Sequence, residues 1–87
     1  MTIEVRQLRY AVLTADTRSF SRAATALNMK QATLSLRVTQ LEDKLGIKLF
    51  TRSTRGAEPT EMGQVFLESA RRIITDIDNR QTTARAV

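Results

Sequence analysis

Two helix-forming patterns separated by almost nothing constrain this chain more than any other feature. Between Ser19 and Phe50 the sequence runs SFSRAATALNMKQATLSLRVTQLEDKLGIKLF. The earlier pattern spans Phe20 to about Leu27, and Ser19 before it can accept from the exposed first-turn amides. Ala23, Ala24 and Leu27 are small or apolar, so another helix can cross close by. Asn28 tolerates the left-handed conformation that ends a helix, and Met29 is placed to plug the core. The next pattern opens at Lys30 or its neighbour. Leu34, Val38, Leu41 and Leu45 step by helical spacing into one buried stripe. Gly46 stands where a C-cap glycine belongs, with Lys44 in the last turn, where the helix dipole favours a cation. A connection this short forces the two helices to cross, and the start of the later one is left polar and outward.

The flanks are read from this pair. Val5 to Ala15 predicts a supporting helix with Leu8, Ala11, Val12 and Ala15 on one side, interrupted by turn-favouring Asp16, Thr17, Arg18 and Ser19. After Gly46, residues 47–52 alternate well enough for a short strand, 53–56 supply turn residues, and 57–59 can return as an edge strand that tolerates Pro59. Thr60 then caps a final helix with Glu61 in its first turn. That helix could run nearly to the C-terminus, roughly 35–40 Å. Met62, Phe66, Ala70, Ile73 and Ile77 mark a stripe along it, with Ile74 alongside. A stripe that long needs a partner, and a self-paired dimer seam fits better than a frayed tail. The expected architecture is mainly α: a winged helix-turn-helix with three helices and a two-stranded β-wing, then a long dimerisation helix. Residues 1–59 form the head and 60–87 the helix beyond it.

Charge separates the same two parts. The 87 residues carry a net charge of +5. Ten basic residues face four acids up to position 56, a surplus of six, whereas positions 57–87 hold four against five. Arg outnumbers Lys in the basic part, which suits bidentate phosphate or guanine contacts. The chain contains no cysteine and no histidine, which removes disulfides, the usual zinc and haem ligands and the commonest general base. No cofactor or metal is expected. Glu42 and Asp43 are the nearest thing to a paired carboxylate, but helix neighbours diverge by about 100°, and a solvated helix end explains them. No apolar run approaches a membrane span, and MTIEVRQLRY lacks a signal-peptide core. The expected setting is cytoplasmic, on the nucleoid, with no membrane partner.

The motifs point to a family. The run from Ser19 to Gly56, with its SF-S-RAA opening, Q-x-x-LS start, LE-x-x-LG-x-x-LF-x-R end and the following TE-x-G, resembles the N-terminal domain of LysR-type transcriptional regulators. The resemblance covers nearly the whole chain. Members usually continue into an effector-binding domain, so the chain resembles the isolated DNA-binding part. It implies a homodimer built through the long helix, a higher oligomer being open to a longer form, and binding of double-stranded DNA at an imperfect palindrome. The recognition helix would enter the major groove and the wing the minor groove.

Carried over, the major-groove candidates are Gln31, Ala32, Thr33, Ser35, Leu36 and Arg37. Phosphate or minor-groove contacts fall to Ser19, Ser21, Arg22, Lys30, Arg52, Thr54 and Arg55, with Arg55 at the wing tip. Phe66, Ala70, Ile73, Ile74 and Ile77 would carry dimerisation. Elementary chemistry agrees: Gln31 can pair with an adenine edge, Ser35 with base edges or phosphate, and Ala32 and Thr33 with thymine methyls. The plain alternative is that Gln31 and Ser35 are solvated helix-surface residues and Arg55 a loose loop arginine. Three positions depart from the family pattern. Lys30 replaces a frequent serine cap, Ala32 a frequent proline, and Leu36 a frequent arginine or lysine, leaving either a thymine methyl for Leu36 or a longer reach for Arg37. A helical protein-binding module is the competing reading, although the polar Gln/Ser/Thr start of the third helix argues against it. Phe20, Phe50, Phe66 and Tyr10 read as packing residues, not an RNA-stacking platform.

Overall fold

The computed structural model describes the backbone of residues 2–86 and the side chains of residues 2–81. The order is α1 (Val5–Thr17), α2 (Phe20–Ala26), α3 (Gln31–Leu45), β1 (Phe50–Ser53), β2 (Gly56–Pro59) and α4 (Glu61–Ala86). Local chemistry accounts for the punctuation. The Ser19 hydroxyl accepts from the Arg22 amide at 3.1 Å and so caps α2. Asn28 takes φ 55°, and the amides of Asn28 and Met29 donate back to the carbonyls of Thr25 and Ala24 at 3.1 and 3.0 Å. These two hydrogen bonds close α2 and free the chain to start α3 almost at once. Gly46, at φ 71°, ends α3.

α1 runs two residues past Ala15, the end read from the sequence. The Thr14 and Thr17 hydroxyls donate to carbonyls one turn back, at 2.8 and 3.0 Å, so polar side chains that favour turns are absorbed by the helix itself. Arg18 then turns left-handed at φ 53°. Its carbonyl accepts from the Ala57 amide at 3.0 Å, tying the wing to the end of α1. A Cβ at Gly56 would drive into that same carbonyl, so the position needs glycine for space as well as for its φ of 122°.

The antiparallel hairpin pairs Phe50 with Pro59, Thr51 with Glu58, Arg52 with Ala57 and Ser53 with Gly56. It leaves Thr54 and Arg55 as the tip. β1 thus starts at Phe50, not at Ile47 as the alternation suggested. The reason is Glu42, whose carboxylate accepts from the Leu49 and Phe50 amides at 2.7 and 3.3 Å. The expectation of a solvated Glu42 is therefore corrected: its side chain is 3% exposed and holds the chain as it enters the wing.

The core is shared by all three head helices and the wing. Leu34, Leu41, Leu49 and Val38 are its largest fully enclosed side chains, and Phe20 meets Phe50 edge to face with centroids 5.8 Å apart. α4 joins this body at its first turn. The Thr60 hydroxyl accepts from the Gly63 amide at 2.9 Å, and a Cβ at Gly63 would strike the Leu49 backbone. Further along, Leu67 and Ala70 are buried, and two ion pairs lash α4 to α1. Arg71 meets Asp16 at 2.7 Å, and Arg9 meets Asp78 at 2.7 Å. The Arg9 hydrogen bond holds the Asp78 carboxyl below the usual aspartate range and raises the guanidinium in turn.

This docking divides the apolar stripe read along α4. Ala70 is 1% exposed and lies against the head, so it is not part of any outward seam. Ile74 is half-buried and borders a cleft with Val12, Leu13 and Leu27. Met62, Val65 and Ile73 are exposed on a different face, with Phe66 and Ile77 half-buried between the two. Val65, missed in the sequence, is the most exposed of them. No described helix is long and apolar enough to cross a membrane.

Candidate nucleic-acid interface

The N-terminal half of α3, the start of α2 and the wing converge on one cleft of about 360 Å³. Its walls include Ser19, Ser21, Gln31, Ser35, Arg52 and Thr54, six of the residues picked from the sequence. Ser53 and Gly56 complete the wing side. Neither was singled out as a site residue, because only the hairpin register brings them beside α3.

Arg52 organises the cleft. One guanidinium nitrogen donates to the Ser35 hydroxyl and the other to Thr39 Oγ1 at 2.9 Å. The second nitrogen also lies 3.6 Å from the Glu42 carboxylate. The group sits 4.5 Å from the Phe20 ring centroid, in cation–π contact. Arg52 therefore joins the wing to α2 and α3 in a fixed arrangement. The sequence reading placed it against phosphate; the geometry adds these internal partners. The Ser35 oxygen accepts from Arg52, which leaves the hydroxyl one proton to donate and a second lone pair to accept with. Glu42 and Arg52 both lie inside the quoted motif, but their separation along the chain gives no sign that they meet.

The other candidates surround this fixed centre. Gln31, Ala32, Leu36 and Arg37 are exposed along α3, and Thr33 is half-buried. Arg37 donates to Gln40 at 3.3 Å. Lys30 provides no side-chain cap for α3, as its ammonium dictates, so the first-turn amides stay open toward solvent and toward any anion. Arg22 and Lys30, next in the chain to the cleft residues Ser21 and Gln31, are exposed, as is Arg55 at the wing tip. The Arg55 amide donates to Ser53 Oγ at 3.2 Å, which shapes the tip while leaving the side chain outward. Hydrogen-bonding groups in the cleft and exposed cations on the same elements match the needs of base edges inside a phosphate backbone.

A family model for bacterial regulatory helix-turn-helix proteins of the lysR family matches residues 5–64. The chain belongs to the LysR family. Among curated relatives it is 44% identical over 85 residues to the HTH-type transcriptional regulator BudR of Klebsiella aerogenes, covering 98% of this chain and 59% of that protein. It is 43% identical over 86 residues to the small neutral protease regulatory protein of Streptomyces coelicolor, covering 99% of this chain and 26% of the relative. The chain thus spans little more than half of the one and about a quarter of the other. Its fold superposes on the BenM DNA-binding domain in complex with catB site 1 DNA at a TM-score of 0.91, with 32% identity over 97% of this chain and 94% of that one. The CbnR DNA-binding domain, also in a DNA complex, gives 0.88 with 37% identity and 97% coverage of both chains. This LysR-family chain is thus a winged helix-turn-helix unit with its long helix attached, and its curated relatives are regulators rather than enzymes.

Proposed function

We propose that this chain binds promoter DNA as a dimer and regulates transcription in the cytoplasm, on the nucleoid. Residues 1–59 act as the reading head and 60–87 as the linker that sets the distance between two heads on an imperfect palindrome. The observation that carries this is the cleft that Gln31 and Ser35 of α3 share with Arg52 and Thr54 of the wing, with Arg22, Lys30 and Arg55 exposed next to its lining residues in the chain. Gln31, Ala32, Thr33, Ser35, Leu36 and Arg37 meet base edges in the major groove. Ser19, Ser21, Arg22, Lys30 and Thr54 meet the backbone, and Arg55 enters the minor groove. Arg52 acts mainly by holding Ser35 and the wing in register. The dimer seam follows the outward face of α4 through Met62, Val65, Phe66, Ile73 and Ile77. DNA-bound relatives of the same fold support this reading.

Binding of duplexes recovered from a randomised pool tests it. Neutralising about six phosphates lowers affinity by about 10³-fold between 50 and 200 mM salt. Gln31→Ala changes the preferred base at one position per half-site, by about 1–3 kcal/mol, whereas Arg55→Ala leaves the major-groove preference intact. A salt-independent interaction, or recovery of no common site, is the result that refutes DNA reading.

A further inference from the structure

Among the described residues, large apolar side chains stand exposed in three places: Ile3 and Val5 at the start of the chain, Met62, Val65 and Ile73 along α4, and Leu36 by itself on α3. Leu36 is 53% exposed, and Leu34, two residues earlier, is fully buried. Successive helical residues turn by about 100°, so Leu36 stands about 200° from Leu34 and points directly away from the core. Ala32, one turn earlier and also exposed, shares its direction. Arg37 donates to Gln40 in the following turn, so its hydrogen bond draws it away from the Ala32 end of the helix. An apolar strip therefore lies in the middle of a face otherwise made of hydrogen-bonding groups, beside Gln31 and Ser35 of the cleft.

Leucine offers neither donor nor acceptor. Among the features that base pairs present in the major groove, the one that an aliphatic side chain can recognise is the 5-methyl group of a pyrimidine. We infer that Leu36, backed by Ala32, is a specificity-determining residue that reads a pyrimidine 5-methyl group in each half-site. This rests on the DNA-binding reading above and adds the chemical group recognised. At that position thymine is preferred over every base lacking the methyl, and 5-methylcytosine is preferred over cytosine. The side chain discriminates by burying one methyl group.

Deoxyuridine isolates the methyl, since it differs from thymine by that group and keeps every hydrogen-bonding atom. Duplexes recovered from a randomised pool are resynthesised with each thymine replaced in turn by deoxyuridine and titrated with the full chain. The expected result is one position per half-site where the wild-type protein loses about fourfold in affinity, the value of one buried methyl. In Leu36→Ala that ratio falls to about one, while the melting temperature stays as in the wild type because the side chain is outside the core. Leu36→Arg moves the preference at the same position to guanine. The inference is overturned if no thymine shows the effect in the wild type. It is equally overturned if the ratio survives in Leu36→Ala, which assigns the methyl contact to Ala32 or Thr33. Both outcomes leave salt-dependent DNA binding in place; absence of that binding instead refutes the underlying reading, and this inference with it.

Discussion

α3 and α4 both carry apolar stripes, yet the two helices are put to different use. On α3 the residues Leu34, Val38 and Leu41 are all at or below 1% exposure, so one face is wholly enclosed and the opposite face is free for ligand. On α4 the apolar residues are shared between two directions. Leu67 and Ala70 are buried on the head, while Met62, Val65 and Ile73 are exposed at 60, 69 and 47%. A short helix surrounded by its own domain can satisfy its stripe internally. A helix of about 39 Å outruns the head and keeps apolar surface that its own chain does not cover. Stability and function are thus separated by face on α3 and by position and face together on α4.

The largest effect expected from this contrast is on stability. Leu34→Ala removes a fully enclosed side chain and costs about 2–5 kcal/mol, visible as a large fall in the denaturant midpoint. Ile73→Ala leaves the fold of a single chain within about 0.5 kcal/mol but weakens self-association, read by equilibrium sedimentation. Equal losses of stability for the two would erase the distinction between the helices.

Glu42 gives the next effect. Its carboxylate accepts from two backbone amides and faces Arg52 from a nearly sealed position. Glu42→Gln can keep part of the hydrogen bonding but not the charge, and is expected to cost about 1–3 kcal/mol. Amide exchange at Leu49 and Phe50 speeds up with it. Unchanged exchange there would mean that the hairpin alone holds the entrance to the wing.

The smallest effect lies where α4 crosses α1. Asp78 titrates lower in the folded chain than when unfolded, first because Arg9 donates to it and then through the charge attraction. A depressed carboxyl contributes stability above its unfolded pKa and loses it as pH falls through the folded value. Asp78→Asn therefore lowers the melting temperature slightly at pH 6, and the gap to the wild type closes as pH drops below the ordinary aspartate value of about 4. A gap that stays constant down to pH 2 would show that this pair adds no pH-linked stability.

Much of the head was legible because its signals are local. Ser19, Asn28, Gly46 and Thr60 act within a turn or two of themselves, so their residue types announce helix ends wherever they pack. Gln31 and Ser35 were legible for the same reason: once α3 was placed, its period put them outward. Glu42 was misread, and the partners of Arg52 went unseen, because both depend on groups that the fold brings in from α2, α3 and the wing. Ala70 was placed on the wrong side because helical period shows that residues share a face, not which body that face meets.

By itself, then, the sequence determined the element order, the inward stripe of α3 and the basic character of the head. These follow from backbone punctuation, periodicity and charge, which neighbours in the chain set. The tertiary structure decided that Arg52 ties the wing to α2 and α3, that Glu42 is an internal anchor, and that α4 gives Leu67 and Ala70 to the head and keeps Met62, Val65 and Ile73 outward. Those outcomes rest on groups far apart in the chain and close in space, where desolvation and hydrogen-bond geometry, not residue type, set what a side chain does.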